Sequence, residues 1–241
     1  KRSFFIYYYM EKPPESVGIV LDGNRRFAKR LMMKPWMGHE WGSKKVREFL
    51  RWCKELGIKE VTLFAFSLEN FDRPKEEFDY LMDLFEREFS KTILDPEVYT
   101  DKIRFTFVGR IELFPEKVKR LMYELMEKTK DHDQLFVNFA MAYGGRAEIV
   151  DAAKRIIDDV QKGKLTVNDV NEQSFNNYLS VTKRLDMIIR TSGEKRTSGF
   201  LLWQSDYSEW FFVDKFWPEF EKEDFLKCIE EYKQRERRFG R

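Results

Sequence analysis

Apolar and polar positions along the chain follow two rhythms. Short runs that are almost wholly apolar predict buried strands at Val17 to Leu21, Val61 to Phe66, Ile103 to Val108, Leu135 to Met141, Met187 to Ile189 and Trp210 to Val213. Longer stretches between them carry helical spacing. Ser43 to Leu56 puts Val46, Phe49, Leu50, Cys53 and Leu56 on one face, and Gly57 supplies the stop. Glu76 to Phe89 carries a stripe of Phe78, Leu81, Met82, Phe85 and Phe89. Pro115 opens a helix with Val118, Leu121, Met122 and Leu125 inward. Ala147 to Val160 and a last segment from about Glu223 read as helices too.

Repeated β-α-β units with strands apolar on both faces predict an α/β fold. The expected architecture is a single domain with a central, mostly parallel sheet covered by helices on both faces. Right-handed crossovers place the strand C-terminal ends, and any ligand, along one edge. Three polar clusters follow directly after strands: Asp22-Gly23-Asn24, Ser67-Leu68-Glu69-Asn70 and Arg190-Thr191-Ser192-Gly193-Glu194. Their convergence on that edge predicts an active site.

Composition narrows the partners. Among 241 residues, 44 Lys+Arg face 42 Asp+Glu, so no large cationic field marks a nucleic-acid binder and no nucleic-acid partner is expected. Cys53 and Cys228 are too few and too far apart for a disulfide framework or a cysteine-rich zinc site, which makes a reducing cytoplasm the default. Phe4 to Met10 is apolar but too short to span a bilayer. Residues 1–12 therefore read as an aromatic arm, either packed or touching a membrane, ahead of a catalytic domain over 13–241. Cys53 reads as packing, the Phe78, Phe85 and Phe89 stripe as core or as contact with an apolar ligand, and His132, in Asp131-His132-Asp133, as a solvent-exposed turn.

The clusters suggest anion chemistry. A helix starting after Asn24 offers backbone N–H groups to an anion, and Arg26 adds a charged fork. Asp22 in that positive potential stays ionised and can hold Mg²⁺ on a diphosphate. No G-x-x-x-x-G-K-[ST] or G-x-G-x-x-G occurs, which excludes a P-loop and leaves a dinucleotide fold unsupported. The stretch from Arg190 to Ser198 concentrates arginines, hydroxyls and glycine in a form suited to phosphate oxygens.

Read together, these residues resemble the cis-prenyltransferases, the undecaprenyl and dehydrodolichyl diphosphate synthases. The family's D-G-N-[GR]-R stands at Asp22 to Arg26, its G-H-x-x-G at Gly38 to Gly42, and F-S-x-E-N-[WF]-x-R-P at Phe66 to Pro74. Y-G-G-R stands at Tyr143 to Arg146, I-R-T-[GS]-G-E-x-R-x-S-x-F-L-L-W-Q at Ile189 to Gln204, and R-R-F-G at Arg237 to Gly240.

The resemblance implies repeated condensation of isopentenyl diphosphate with an allylic prenyl diphosphate to a long-chain polycis-polyprenyl diphosphate, by a homodimer that is cytoplasmic or peripheral at a membrane. It implies Asp22 and Glu209 as Mg²⁺ ligands, and Asp22, Asn24, Asn70 and His39 at the catalytic centre. Gly23, Asn24, Arg25, Arg26, His39, Ser67 and Arg73 would bind the allylic substrate. Arg190, Arg196, Ser198, Arg238 and Gly240 would bind isopentenyl diphosphate, the last two across the dimer. The proton acceptor stays open among His39, Asp22 and a diphosphate oxygen. Asp22→Ala is expected to abolish condensation while leaving the fold nearly intact.

One departure stands out. Several relatives carry an arginine four residues before the His of G-H-x-x-G, where this chain has Pro35; Lys34 is the candidate substitute. The rival readings are the family's non-catalytic partner subunit, a Mg²⁺-dependent phosphohydrolase using Asp22, and an RNA binder. Partner subunits characteristically lose the D-G-N aspartate, which is present here.

Overall fold

A computed structural model describes residues 13–235. Six strands form one sheet: β1 (Ser16–Val20), β2 (Glu60–Ser67), β3 (Ile103–Val108), β4 (Leu135–Tyr143), β5 (Met187–Arg190) and β6 (Glu209–Phe212). Their order is β3-β4-β2-β1-β5-β6, and every pairing is parallel. Eight α-helices lie among the described residues: α1 (Asn24–Arg30), α2 (Gly38–Glu55), α3 (Lys75–Leu94), α4 (Pro96–Thr100), α5 (Glu116–Thr129), α6 (Gly145–Gln161), α7 (Glu172–Asn176) and α8 (Lys222–Gln234).

Strand period divides the apolar side chains between two cores. Val17, Ile19, Val61, Leu63, Met187 and Ile189 face the larger core, shared with α2, α3, α5 and α8. Val20, Phe64, Ala140 and Ile188 face a smaller one with Leu185, Phe200 and Leu201. That second face is closed largely by irregular chain. Gly18 of β1 makes this possible, because a Cβ there would stand 2.7 Å from Leu185 Cδ2 and 3.0 Å from Phe200 Cε1.

Each predicted strand and long helix is present, and the differences are at the ends. α2 begins at Gly38, well before the apolar stripe, because Gly38 packs onto the Asn24 carbonyl with no room for a Cβ. α3 continues to Leu94, with Ile93 buried beyond the last phenylalanine of the stripe. α4 and α7 are too short for periodicity to show them. The turn expected at His132 is present with Asp131 and Asp133 exposed, but His132 itself is half-buried: its Nδ1 lies 2.8 Å from the Ile103 carbonyl, and Tyr99 meets the ring edge-on. Cys53 is fully buried in the core, which pushes its thiol well up. No helix among the described residues is long and apolar enough to cross a membrane. Phe4 to Met10 and the rest of the N-terminal arm lie outside the described residues, as do Arg238 and Gly240.

Candidate active site

The central crossover builds the first half of the site. β1 and β5 are neighbours in register, Val20 beside Arg190, so the segments after them leave the sheet together. Thr191, fully buried, ties them: its hydroxyl donates to the Asp22 carbonyl at 2.7 Å and accepts the Asp22 N–H at 3.1 Å. Gly23, at φ 104°, then turns the chain into α1. No side chain fits there, since a Cβ would meet Phe216 at 2.8 Å.

Asp22 is gripped by two guanidiniums. Arg190 Nη2 donates to Oδ2 at 2.7 Å, and Arg26 Nη2 approaches Oδ1 at 3.3 Å. Burial alone would raise the Asp22 pKa. The hydrogen bond and charge of Arg190, with Arg26 and Ser192, outweigh it and hold the carboxyl below its usual range. Arg190 is itself almost fully buried and also donates to the Arg196 carbonyl at 2.6 Å and Ser198 Oγ at 2.7 Å. Arg26 donates to Ser192 Oγ at 2.6 Å. Ser192 and Ser198 both have positive φ, 80° and 51°, so this loop holds strained backbone where its hydroxyls meet arginines.

A second group gathers around a residue that the sequence reading missed. Glu77, one turn after Arg73, is 1% exposed. Arg73 Nη1 donates to its Oε1 at 2.9 Å, and Arg25 Nη2 lies 3.5 Å from Oε2. His39 Nε2 is 3.4 Å from Arg73 Nη1 and 3.9 Å from Glu77 Oε1. His39, then Arg73 and Arg25, hold the Glu77 carboxyl below its usual range against the opposing effect of burial. Burial, with the Arg73 charge, depresses His39 so that it is a neutral imidazole. The i,i+4 spacing of Arg73 and Glu77 was the available signal. Ser67 and Asn70 sit at the start of this loop, where Asn70 Oδ1 accepts the Ser67 N–H at 3.1 Å. They shape the turn between β2 and α3.

Between α2 and α3, over β2 and β4, runs an apolar cleft of about 160 Å³. Leu21, Asn24 and His39 line it beside the polar site; Val46, Phe85 and Phe139 line it farther along, and Glu97 and Asp101 stand at the far end. Phe85 and Phe89 both line the cleft while Phe78 does not, which divides the predicted aromatic stripe. Asn24 Oδ1 is buried without a hydrogen-bond partner, while its amide donates to the Leu21 carbonyl.

One expected pairing is absent within one chain. Glu209 and Asp22 are not brought together: Val17, Met187 and Glu209 are in register across β1, β5 and β6, so Glu209 opens its strand at the sheet end opposite Asp22. Five residues of strand separate the two levels, about 16 Å. Glu209 instead accepts from Arg235 at 2.7 Å. Lys34, the candidate substitute for the missing arginine, pairs with Glu76 at 2.8 Å on the surface, above the Trp36 ring. Arg196 is in the loop as expected, 59% exposed and paired with Glu194.

A cradle of Arg26, Arg190 and Arg196 beside a long apolar cleft suits a molecule with a multiply charged head and a hydrocarbon tail. Residues 20–240 match the family described as putative undecaprenyl diphosphate synthase. The chain is 50% identical over 230 residues to a tritrans,polycis-undecaprenyl-diphosphate synthase (geranylgeranyl-diphosphate specific) of Pyrococcus furiosus, covering 95% of this chain and 87% of the relative. It is 47% identical over 234 residues to an isoprenyl transferase of Thermus thermophilus, covering 95% and 89%. Among solved structures, lavandulyl diphosphate synthase from Lavandula x intermedia in complex with dimethylallyl diphosphate superposes with a TM-score of 0.90 at 33% identity, covering 95% of this chain and 99% of that one. A probable undecaprenyl diphosphate synthase from Campylobacter jejuni gives 0.79 at 33%, covering 96% and 100%. The fold and site thus define a prenyltransferase acting on prenyl diphosphates. The chain belongs to the cis-prenyltransferase, or undecaprenyl diphosphate synthase, family and has its chain-elongating activity.

Proposed function

We propose that this chain condenses isopentenyl diphosphate with an allylic prenyl diphosphate, in repeated cis additions, to a long-chain polyprenyl diphosphate. The observation that carries the reading is the apolar cleft opening beside Asn24 and His39, next to the arginine cradle. The 50% identity to a geranylgeranyl-specific relative supports geranylgeranyl diphosphate as primer. Each five-carbon unit buried in such a cleft contributes about 4 kcal/mol. Product release is then the slow step.

In this reading the allylic diphosphate lies against Arg25, Arg26, Gly23 and Asn24, with Ser67, Asn70 and Arg73 setting the loop above it. Arg190, Arg196 and Ser198 take the diphosphate of the isopentenyl unit. The allylic C–O bond breaks, the isopentenyl double bond closes a new C–C bond, and one proton is lost. Arg26 and Arg25 stabilise the charge developing on the departing allylic diphosphate. His39 turns Nε2 toward Arg73, and Asp22 is held ionised by Arg190 and Arg26. Both are therefore poor proton acceptors, and the proton goes to an oxygen of the departing diphosphate.

Mg²⁺ suits the donor set. Asp22 uses one lone pair on each carboxylate oxygen for the arginines, which leaves room for a cation held by one carboxylate, diphosphate oxygens and water. Bound there, Mg²⁺ would neutralise diphosphate charge. Glu209 could join such a site only from a second copy; its strand, β6, lies at the sheet edge. Arg238 and Gly240 enter on the same terms, by resemblance.

The test is incubation of the purified chain with labelled isopentenyl diphosphate, geranylgeranyl diphosphate and Mg²⁺, with reversed-phase sizing of the products. A ladder of products longer than the primer is expected. Absence of label in any extended product, with each allylic primer in turn, would refute the reading.

A further inference from the structure

Glu194 touches two arginines that the proposed function gives to different substrates. Its Oε1 accepts from Arg26 Nη1 at 2.8 Å, and its Oε2 accepts from Arg196 Nη1 at 2.5 Å. Neither guanidinium can offer that N–H to a diphosphate while the contact lasts. We propose that Glu194 is a displaceable internal anion, occupying both diphosphate positions in the substrate-free enzyme and so coupling their occupancy.

The backbone suits such a lever. Ser192 and Gly193, both at positive φ, are fastened by hydrogen bonds to Lys215 O at 2.6 Å and Val213 O at 2.9 Å. Phe200 is fully buried at the other end of the segment. Between these anchors, residues 195–198 are exposed and lack helix or strand. Glu194 thus sits between a pinned turn and an exposed segment held to Arg190 through Arg196 O and Ser198 Oγ, and its own side chain is 31% exposed, so it can leave without opening the core.

Arg190 is different. Its partner is Asp22, and it is nearly buried, so it remains the fixed part of the cradle while Arg26 and Arg196, 41% and 59% exposed, are the movable part. A diphosphate arriving at Arg26 displaces and repels the Glu194 carboxylate, which frees Arg196 at the same time. The second diphosphate then meets a guanidinium that has already been released. Two ligands favouring the same displaced state bind with positive coupling, which offsets part of the repulsion between the two diphosphates. Glu194 acts through the arginines and is a positioning residue.

The inference rests on the proposed function for which substrate goes where, but its core is testable without it. Inorganic diphosphate is titrated into the wild type, Glu194→Gln and Glu194→Asp by calorimetry. Losing an exposed competing charge should tighten diphosphate binding about two- to fivefold in Glu194→Gln. Glu194→Asp keeps the charge but is too short to bridge, so it should fall between. Next, isopentenyl diphosphate is titrated with and without a saturating unreactive thio analogue of geranylgeranyl diphosphate. The analogue should tighten isopentenyl diphosphate in the wild type, and the same ratio should be smaller in both variants. If Glu194→Gln binds inorganic diphosphate equally or more weakly, Glu194 assists the anion and the proposal is overturned. An unchanged coupling ratio across the three proteins overturns it as well. If the prenyl ligands fail to bind while the inorganic diphosphate series behaves as expected, the proposed function fails and the internal anion stands.

Discussion

Removing the Asp22 carboxylate should cost stability as well as activity, contrary to what the sequence suggested. Arg190 is the reason. Its side chain is 4% exposed, and its Nε is buried without a partner, so the guanidinium depends on the 2.7 Å bond to Asp22 for its charge balance. Stripping one partner from a fully buried ion pair costs about 3–5 kcal/mol. Asp22 is 26% exposed, and Arg190 keeps its bonds to Arg196 O and Ser198 Oγ, so Asp22→Ala should lose about 2 kcal/mol at neutral pH. For a chain of this size that lowers the melting temperature by about 4–8 °C. Because the Asp22 pKa is lowered in the folded state, its stabilisation is complete above the ordinary value of 3.8 and fades as pH falls through the folded value. The gap between wild type and variant should narrow in that acid window. Urea unfolding at neutral pH, with Asp22→Ala/Arg190→Met as the cycle partner, separates the lost pair from lost packing. The double variant should recover part of the loss. An Asp22→Ala protein melting within about 1 °C of wild type, with no recovery in the double variant, would refute the account of Arg190 as a charge stranded by the mutation.

His39 is buried and neutral, its pKa lowered from 6.5, so wild-type stability should decline as pH falls below that value; His39→Gln should remove this part of the slope in thermal melts. Lys34→Ala should leave the allylic KM within about twofold, since an exposed pair is worth little, whereas Arg25→Ala should raise it about tenfold through a charge-assisted contact; steady-state kinetics decide, and the reverse order would show that Lys34 does reach the substrate. Phe85→Ala removes a ring from the cleft wall beside Phe89, and the product ladder should shift toward longer chains; an unchanged distribution would place the hydrocarbon elsewhere. Glu77→Gln should lower kcat/KM about tenfold by loosening Arg73 and Arg25, with circular dichroism unchanged.

Much of the site was legible because its residues follow strand ends. Asp22, Ser67 and Arg190 could be placed on one sheet edge from apolar runs alone, since parallel crossovers leave few other arrangements. Glu77 was not legible as a site residue. In sequence it looks like one more acid at the start of an amphipathic helix, and only burial against Arg25, Arg73 and His39 sets it apart. Glu209 was hard to place for the opposite reason: a motif shows that a residue recurs with its neighbours, but strand register puts it at the far end of the sheet from Asp22 within one chain.

By itself the sequence determined the strands, the long helices, the parallel class and the family, because these rest on periodicity and local chemistry repeated over many residues. Helix starts set by close packing, such as Gly38 on the Asn24 carbonyl, needed the tertiary structure. So did the pairing of charges. Arg26, Arg190 and Arg196 are equivalent basic residues as letters, yet one is buried on Asp22 and two are exposed on Glu194. Which carboxylate neutralises which guanidinium depends on distances of a few ångströms and on burial, and both arise only when segments some 170 residues apart are packed side by side.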